Sequence, residues 1–63
     1  MIEVTRLGGG AFFLNPDQIE TLEATPDTVI TLANGHRYVV RETPGEVRER
    51  IIAFRRRFVD SSF

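Results

Sequence analysis

The stretch Thr31-Leu32-Ala33-Asn34-Gly35-His36-Arg37-Tyr38 (TLANGHRY, residues 31–38) decides the fold of this 63-residue chain. An Asn-Gly pair between two runs rich in Val, Ile and Thr is the strongest short-range signal for a β-hairpin. Asn and Gly both tolerate positive φ angles, so the pair predicts a two-residue type I′ turn at residues 34–35. That turn sets the register of the two strands, with Ala33 opposite His36 and Leu32 opposite Arg37.

The predicted register leaves both faces of this hairpin partly apolar. One face carries three aliphatic residues and one arginine, namely Ile30, Leu32, Val39 and Arg37. The other face mixes apolar and polar residues, namely Val29, Ala33, Val40, Thr31, His36 and Tyr38. An antiparallel sheet that is covered on one face normally alternates cleanly between apolar and polar residues. The mixed pattern therefore predicts either a sheet that curls into a partly closed barrel or a sheet whose second face meets another subunit.

Turn residues divide the first two-thirds of the chain into short strand-like segments. Gly8-Gly9-Gly10, Asn15-Pro16-Asp17 and Pro26-Asp27 are the other turn signals,. The segments between the turns are rich in β-branched and aromatic residues and span 2–7, 11–14, 18–24, 28–33 and 36–42,. The sequence thus predicts an α+β fold, a small antiparallel β-meander or partly closed barrel of about five short strands followed by one C-terminal amphipathic helix.

The helix is predicted over about residues 44–59 of a single domain that spans residues 1–63. Thr43 is a plausible N-cap, Pro44 suits the first helical position, and Glu46 has the spacing of a capping box,. Apolar residues recur on one helical face at Val47, Ile51, Phe54 and Phe58,. The strands lie within residues 1–42, and residues 60–63 are expected to form a frayed tail.

The small size of the chain predicts self-association. A domain of this length buries only roughly 60% of the surface that its unfolded chain exposes. Small domains usually gain stability from disulfides, a metal or association, and this chain has no cysteine and one histidine, His36,. We therefore expect no cofactor and no metal, and a homo-oligomer instead.

The charges are unevenly distributed although the net charge is −1. Residues 1–36 carry five carboxylates against one arginine, and residues 37–63 carry seven arginines against four carboxylates. The two halves can pair within the chain, between subunits or with a partner. The cluster Arg55-Arg56-Arg57 either lies favourably near the helix C-terminus or binds an acidic protein surface, anionic lipid headgroups or RNA.

Enzymatic and membrane-spanning patterns are absent from the sequence. The only serines lie in the tail, and the single histidine borders the hairpin turn, so no nucleophile and base are paired,. No apolar run is long enough to span a membrane, and the acidic start Met1-Ile2-Glu3-Val4 is unlike a signal peptide,. These observations predict a non-enzymatic, cytoplasmic protein.

Adjacent aromatic residues indicate where a partner could bind. Phe12 and Phe13 lie next to each other in a predicted strand, so their side chains face opposite sides,. Whichever of the two points away from the core is the best candidate for an interface anchor. The full set of candidate interaction residues is Arg6, Phe12, Phe13, Arg37, Tyr38, Arg55, Arg56 and Arg57.

Several segments of the chain resemble the FlbD/SwrD family of small bacterial flagellar proteins. The resemblance begins with MIEVTRL at residues 1–7 and is densest in TPDTVITL at residues 25–32, followed by Asn34-Gly35 and YVV at residues 38–40. It covers about residues 1–54. The chain departs from the family pattern at Gly8, where a polar residue is usual, and in the arginine-rich end of the helix, where lysines are usual.

The resemblance implies a role in flagellar motility or swarming. It implies support of motor output through contacts with a flagellar motor or related protein, with a location at the cytoplasmic face of the motor. No catalytic residue is carried over, because the family is not known as enzymatic.

A second hypothesis comes from the carbon storage regulator proteins, which are RNA-binding dimers. The opening strand, the five short strands and the C-terminal helix are similar to that family in pattern. Nucleic-acid binding predicts a basic surface and a strong dependence on salt. The acidic balance of residues 1–36 argues against RNA as the partner.

Overall fold

The structure is a computed structural model that describes the backbone of residues 1–61 and the side chains of residues 1–56. Its elements follow one another as five strands, a short 3₁₀ turn over Pro16–Gln18 and one helix. The strands and the helix are β1 Ile2–Thr5, β2 Ala11–Leu14, β3 Ile19–Ala24, β4 Thr28–Leu32, β5 Arg37–Val40 and α1 Pro44–Ser61. The predicted α+β class with five strands and a C-terminal helix is confirmed.

The strands form two antiparallel sheets that do not close into a barrel. β1 pairs with β2, and β3, β4 and β5 form a three-stranded sheet in that order. The two sheets meet where Arg6 bridges Val40, and two backbone hydrogen bonds extend this contact, from the Leu7 amide to the Val39 carbonyl and from the Arg41 amide to the Thr5 carbonyl. The strands therefore form an open arrangement in which β1 also bonds β5.

The hairpin of β4 and β5 differs from the predicted one by a single residue. Ile30 lies opposite Tyr38 and Thr31 opposite Arg37, and the Leu32 amide donates to the His36 carbonyl. The loop therefore contains three residues, 33–35, and only Gly35 has a positive φ angle, of 91°. This is a type I turn followed by a glycine bulge rather than a type I′ turn.

The corrected register places the core residues of the hairpin on one face. A shift of one residue moves every side chain of a strand to the other face. Tyr38 and Val40 now share a face with Ile30 and Leu32, and this inner face turns towards the core. The mixed faces expected from the sequence came from the wrong register, so the argument that the sheet must curl or meet a subunit no longer holds.

Helix α1 covers the inner face of the strands. The Thr43 hydroxyl accepts from the Glu46 amide and the Glu46 carboxylate accepts from the Thr43 amide, both at 3.1 Å, which confirms the predicted capping box. Val47 is fully buried, and Ile51 and Phe54 pack against the core. The buried aliphatic core consists of Ile2, Val4, Leu14, Ile30, Val40 and Val47.

The C-terminal part of the helix differs from the sequence prediction in length. The helix ends at Ser61, two residues beyond the predicted end at residue 59. Residues 60 and 61 are thus helical rather than part of the expected tail. The side chain of Phe58, the last member of the predicted apolar stripe, lies outside the described residues.

Candidate interaction surfaces

Three of the predicted interaction residues form one cluster at an end of the inner face. The Arg6 guanidinium lies 4.3 Å from the centre of the Phe12 ring and 5.7 Å from the centre of the Tyr38 ring. The two rings are 5.2 Å apart and tilted by 43°. Strand pairing brings them together, because Val4 lies opposite Phe12 and Arg6 bridges Val40. An exposed contact of this kind contributes about 0.5–1 kcal/mol, so the cluster orients Arg6 and also stabilises the fold.

Phe13 and Arg37 lie on the opposite, outer face of the strands. Phe13 is 65% exposed, whereas Phe12 packs against the core. The outer face comprises the strand positions that alternate with the core, and none of them is buried: Glu3, Thr5, Leu7, Ala11, Phe13, Thr21, Glu23, Val29, Thr31, Arg37 and Val39. Phe13 is therefore the residue of the pair that points away from the core, and it is the candidate interface anchor.

An apolar row crosses the outer face. Leu7 lies beside Val39, because its amide donates to the Val39 carbonyl, and Val39 lies opposite Val29. Leu7 and Val39 are 45% and 40% exposed, and Val29 is half-buried. Contiguous exposed apolar residues with a polar rim are typical of protein contact sites.

The arginine cluster of α1 is separate from both of these surfaces. Arg55 lies 3.6 Å from Asp17, and both side chains are more than half exposed. An exposed ion pair contributes about 0–1 kcal/mol, so this contact has little effect on stability. Arg56 is exposed, and the side chain of Arg57 lies outside the described residues.

Sequence reasoning missed a polar cluster around Glu42, whose side chain is only 7% exposed. Its carboxylate accepts from the Thr5 amide at 2.8 Å and from the Thr5 hydroxyl at 2.9 Å. Arg50 donates to the same carboxylate at 2.9 Å and to the Glu3 carbonyl at 2.8 Å. The two side chains thus bond the backbone of β1 as a neighbouring strand would.

These side chains complete the hydrogen bonding along the second edge of β1, beyond the end of β5. The Leu7 amide donates to the Val39 carbonyl in β5, and the Thr5 carbonyl accepts from the Arg41 amide just after β5. The Thr5 amide donates to Glu42, and the Glu3 carbonyl accepts from Arg50. We call this row of four satisfied backbone groups the sealed edge. An unpaired strand edge invites association with other chains, and here the chain fills it with its own side chains.

The hydrogen bonds at the sealed edge also fix the charge of Glu42. Burial alone raises the pKa of this carboxyl, but bonds from the backbone amides of Thr5 and Glu42 and from the side chains of Arg50 and Thr5 outweigh that effect,. The pKa is lowered from 4.5 to about 2. Glu42 is therefore ionised at neutral pH and acts as an acceptor only.

Strand β3 has an open edge that borders an apolar groove. β3 pairs only with β4 in the part of the chain that the structure describes. A groove of about 390 Å³ separates β3 from the first half of α1. Its walls are mainly aliphatic, from Ile19, Leu22, Ile51 and Ile52, with Glu20 and Arg48 also lining it.

Two further findings on the described residues concern metal ions and membranes. No group of three or more His, Asp or Glu side chains there is arranged to hold a metal ion. Over the same described part, no helix is both long and apolar enough to cross a membrane. What the geometry provides is an aromatic cluster, an apolar row and an open strand edge.

Comparison with known protein families gives the chain a biological setting. A family model described as "Flagellar and Swarming motility proteins", FlbD, matches residues 1–59. The chain belongs to the FlbD family. It is a protein of flagellar and swarming motility, as the resemblance in residues 1–54 implied. No curated protein and no solved structure matches the chain.

The structural features of this FlbD protein differ in how visible they are in its sequence. The cluster of Arg6, Phe12 and Tyr38 was within the candidate set, although its members lie far apart along the chain. The Glu42 cluster joins residues 37 positions apart, and no local pattern marks such a contact. The one signal of this cluster in the sequence was the position of Glu42, a carboxylate between a strand and the helix N-cap.

Proposed function

We propose that this FlbD protein is a non-enzymatic accessory protein that supports flagellar motor function through protein–protein contacts on its outer face. The observation that supports this proposal is the exposure of Phe13 together with the row Leu7–Val39–Val29 on one uncovered side of the strands. A small domain rarely leaves several large apolar side chains exposed on one face without a partner. The membership in a motility family supplies the biological setting.

The chemistry of the outer face indicates what the partner offers. Arg37 precedes Val39 by two positions and so shares its face, and Arg41 follows Val39 at the same spacing. Both arginines are exposed, and the Arg41 side chain reaches back to the Leu7 carbonyl at 3.2 Å. A partner with an apolar centre and flanking carboxylates would complement this side of the outer face.

Self-association through the same face is part of the proposal. The face carries Arg37 near its apolar row and Glu23 opposite Val29, so one copy offers both charges to another,. Sedimentation of the purified protein over a range of concentrations tests this. A Phe13→Ser substitution should shift the population towards monomer. A native chain that stays monomeric at every concentration would mean that the outer face binds other proteins and not a second copy of the chain.

The motility role is tested with a deletion strain in which filaments are counted and swimming and swarming are measured. We expect normal filament number with weak motility, restored by the native chain but not by a chain with Phe13→Ser and Val39→Ser. Ala53→Ser, at an exposed helix position, is the matched control and should restore motility. Cellular protein levels must be equal among the strains, because loss of the protein would mimic loss of contact.

Two other results would contradict the proposed role in motor function. Loss of filaments would point to assembly or gene expression, and would favour the RNA-binding alternative. That alternative predicts binding of labelled RNA that weakens steeply between two salt concentrations. Full motility of the double variant would separate the outer face from the motility role. A fluorescent fusion tests the proposed cytoplasmic location at the motor.

A further inference from the structure

We propose that the open edge of β3 binds an extended, basic peptide segment of a partner protein, which adds as a further strand and places alternate aliphatic side chains in the groove beside α1. This surface consists of the β3 edge and the groove beside α1 and uses only Glu23 from the outer face, so the inference goes beyond the motility contact proposed above. It combines three independent features of the β3 region: outward backbone groups, a groove with apolar walls and an excess of carboxylates.

The backbone of β3 has hydrogen-bonding groups directed away from the sheet. The Leu32 amide bonds the His36 carbonyl across the β4–β5 hairpin, so Ile30 and Thr28 also bond β5 by the alternation of an antiparallel ladder,. Val29 and Thr31 therefore bond β3, at Glu23 and Thr21. The amides and carbonyls of Leu22 and Ala24 are left to face outwards, at the spacing that an added strand requires.

The groove provides sites for side chains of the added strand. A residue placed opposite Leu22 points to the same face as Leu22, which is the face that lines the groove,. There it meets Ile51 and Ile52 of α1, which are half-buried in the free protein. The groove of about 390 Å³ is large enough to take aliphatic side chains,.

The charges around β3 select a basic partner and disfavour a second copy of the strand. Residues 17–27 contain Asp17, Glu20, Glu23 and Asp27 and no basic residue. Two β3 strands paired with each other would bring these carboxylates together, which is destabilising. A strand with Lys or Arg at the positions that flank its aliphatic residues would instead place cations beside Glu23, on the side away from Arg48.

The probe for this proposal is a displayed library of random twelve-residue peptides selected on the immobilised full-length chain. We expect the enriched peptides to alternate aliphatic and basic residues. A synthetic copy of an enriched peptide should bind about tenfold more weakly to a chain with Glu23→Lys, because an attractive contact becomes repulsive. Phe13→Ser on the outer face is the control and should leave the affinity unchanged.

Amide hydrogen exchange decides the geometry of binding. With the peptide bound, the amides of Leu22 and Ala24 should become protected, whereas those of Thr21 and Glu23 are protected already by β4. An Ile52→Ser variant, checked for folding by circular dichroism, should lose most of the binding. Circular dichroism of the charge variant ensures that its weaker binding is not unfolding.

Several results would overturn the proposal. One is a selection that enriches no peptide, or peptides whose affinity is the same for the native chain and both β3-region variants. Another is binding without protection of Leu22 and Ala24, which would mean that the groove takes a helix or a loop. A third is concentration-dependent protection of these two amides without peptide, which would mean that a second copy of the chain covers the edge.

Discussion

Two strand edges of this small domain, those of β1 and β3, are treated in opposite ways. At the sealed edge of β1, Glu42 and Arg50 bond the Thr5 amide and the Glu3 carbonyl, so the strand offers nothing to another chain. At the open edge of β3, the outward groups of Leu22 and Ala24 have no strand beside them in the described part of the chain, and exposed carboxylates flank them. Here the edge of β1 is sealed with a buried charge, whereas the edge of β3 stays available for the strand addition proposed above.

The difference shows that the fold itself uses the edge of β1, whereas the edge of β3 is the one that we propose a partner occupies. The sealed edge holds the start of α1 against β1, since Glu42 directly precedes the helix N-cap and Arg50 lies in the helix. It therefore joins the two-stranded sheet to the helix that covers the core. The carboxylates of the open edge hinder pairing of identical strands, which protects the chain from aggregation while admitting a strand of opposite charge.

The largest expected effect comes from removing the carboxylate of the sealed edge. Glu42→Ala leaves the Thr5 amide, the Thr5 hydroxyl and Arg50 without their acceptor, and should lower the free energy of unfolding by about 2–3 kcal/mol. Arg50 is 42% exposed and stays hydrated, which keeps the loss below that of a fully buried pair. Urea denaturation followed by circular dichroism measures the change.

Glu49→Ala is the matched control for this substitution, because Glu49 is an exposed carboxylate one residue before Arg50. It should change the free energy of unfolding by less than about 0.5 kcal/mol. Equal stability losses for the two variants would show that Glu42 contributes only as a surface charge, and that the sealed edge is not the difference between β1 and β3.

Acid should weaken the sealed edge through the same carboxylate. The pKa of Glu42 is about 2 in the folded chain and 4.5 ordinarily, so the unfolded chain binds this proton first as the pH falls. The stabilisation is complete above pH 4.5 and is lost as the pH falls from 4.5 towards 2,. After solvent screening we expect a loss on the order of 1–2 kcal/mol from this group.

Urea denaturation at a series of pH values measures this dependence in the native chain and in Glu42→Gln. The variant cannot titrate at this position, so its stability should fall less steeply over the same interval. Parallel curves for the two chains would assign the acid sensitivity to other carboxylates.

Features that depend on residues close together in the sequence were predicted better than features that depend on distant residues. Strand positions and the capping box of Thr43 and Glu46 depend on near neighbours, and the structure agrees with them closely. The hairpin register was wrong because Asn34-Gly35 fits both a two-residue loop and the last two positions of a three-residue loop. Only the pairing of Tyr38 with Ile30 in the core distinguishes the two.

The interaction surfaces were predicted less completely because they depend on the packing of distant segments. The sequence established that one of Phe12 and Phe13 faces outwards, but not which one. The sealed edge requires β1, Glu42 and α1 to meet, and the groove requires β3 to lie beside Ile52. The spacing of residues within a single strand or helix does not indicate which other elements lie beside it.

A smaller effect is expected at the hairpin that leads into the sealed edge. Gly9 has a φ angle of 105°, and its amide donates to the Arg6 carbonyl in the turn that directs Leu7 to Val39. Gly9→Ala introduces a side chain into this left-handed conformation and should lower the free energy of unfolding by about 1 kcal/mol.

Gly8→Ala in the same loop is the control, since Gly8 has no positive φ and an alanine Cβ there would have no neighbouring atom within 4 Å. We expect it to be neutral or to stabilise the chain by up to about 0.5 kcal/mol, through the lower entropy of the unfolded state. Thermal denaturation of both variants measures the difference. Identical melting temperatures would mean that the loop tolerates a change of turn type without disturbing β1.

The smallest expected effect on stability comes from removing the carboxylates at the open edge of β3. Glu20→Gln and Glu23→Gln remove both charges of the open edge while keeping side-chain size, and neither carboxylate seals a backbone group there. The free energy of unfolding should therefore change by less than about 0.5 kcal/mol in the urea experiment that reveals the loss in Glu42→Ala. Sedimentation of these substitutions in a Phe13→Ser chain, which lacks the proposed outer-face contact, should show more self-association than Phe13→Ser alone, because the repulsion between β3 edges is gone. A large loss of stability would mean that these carboxylates hold the fold as Glu42 does, and that the two edges differ in degree only.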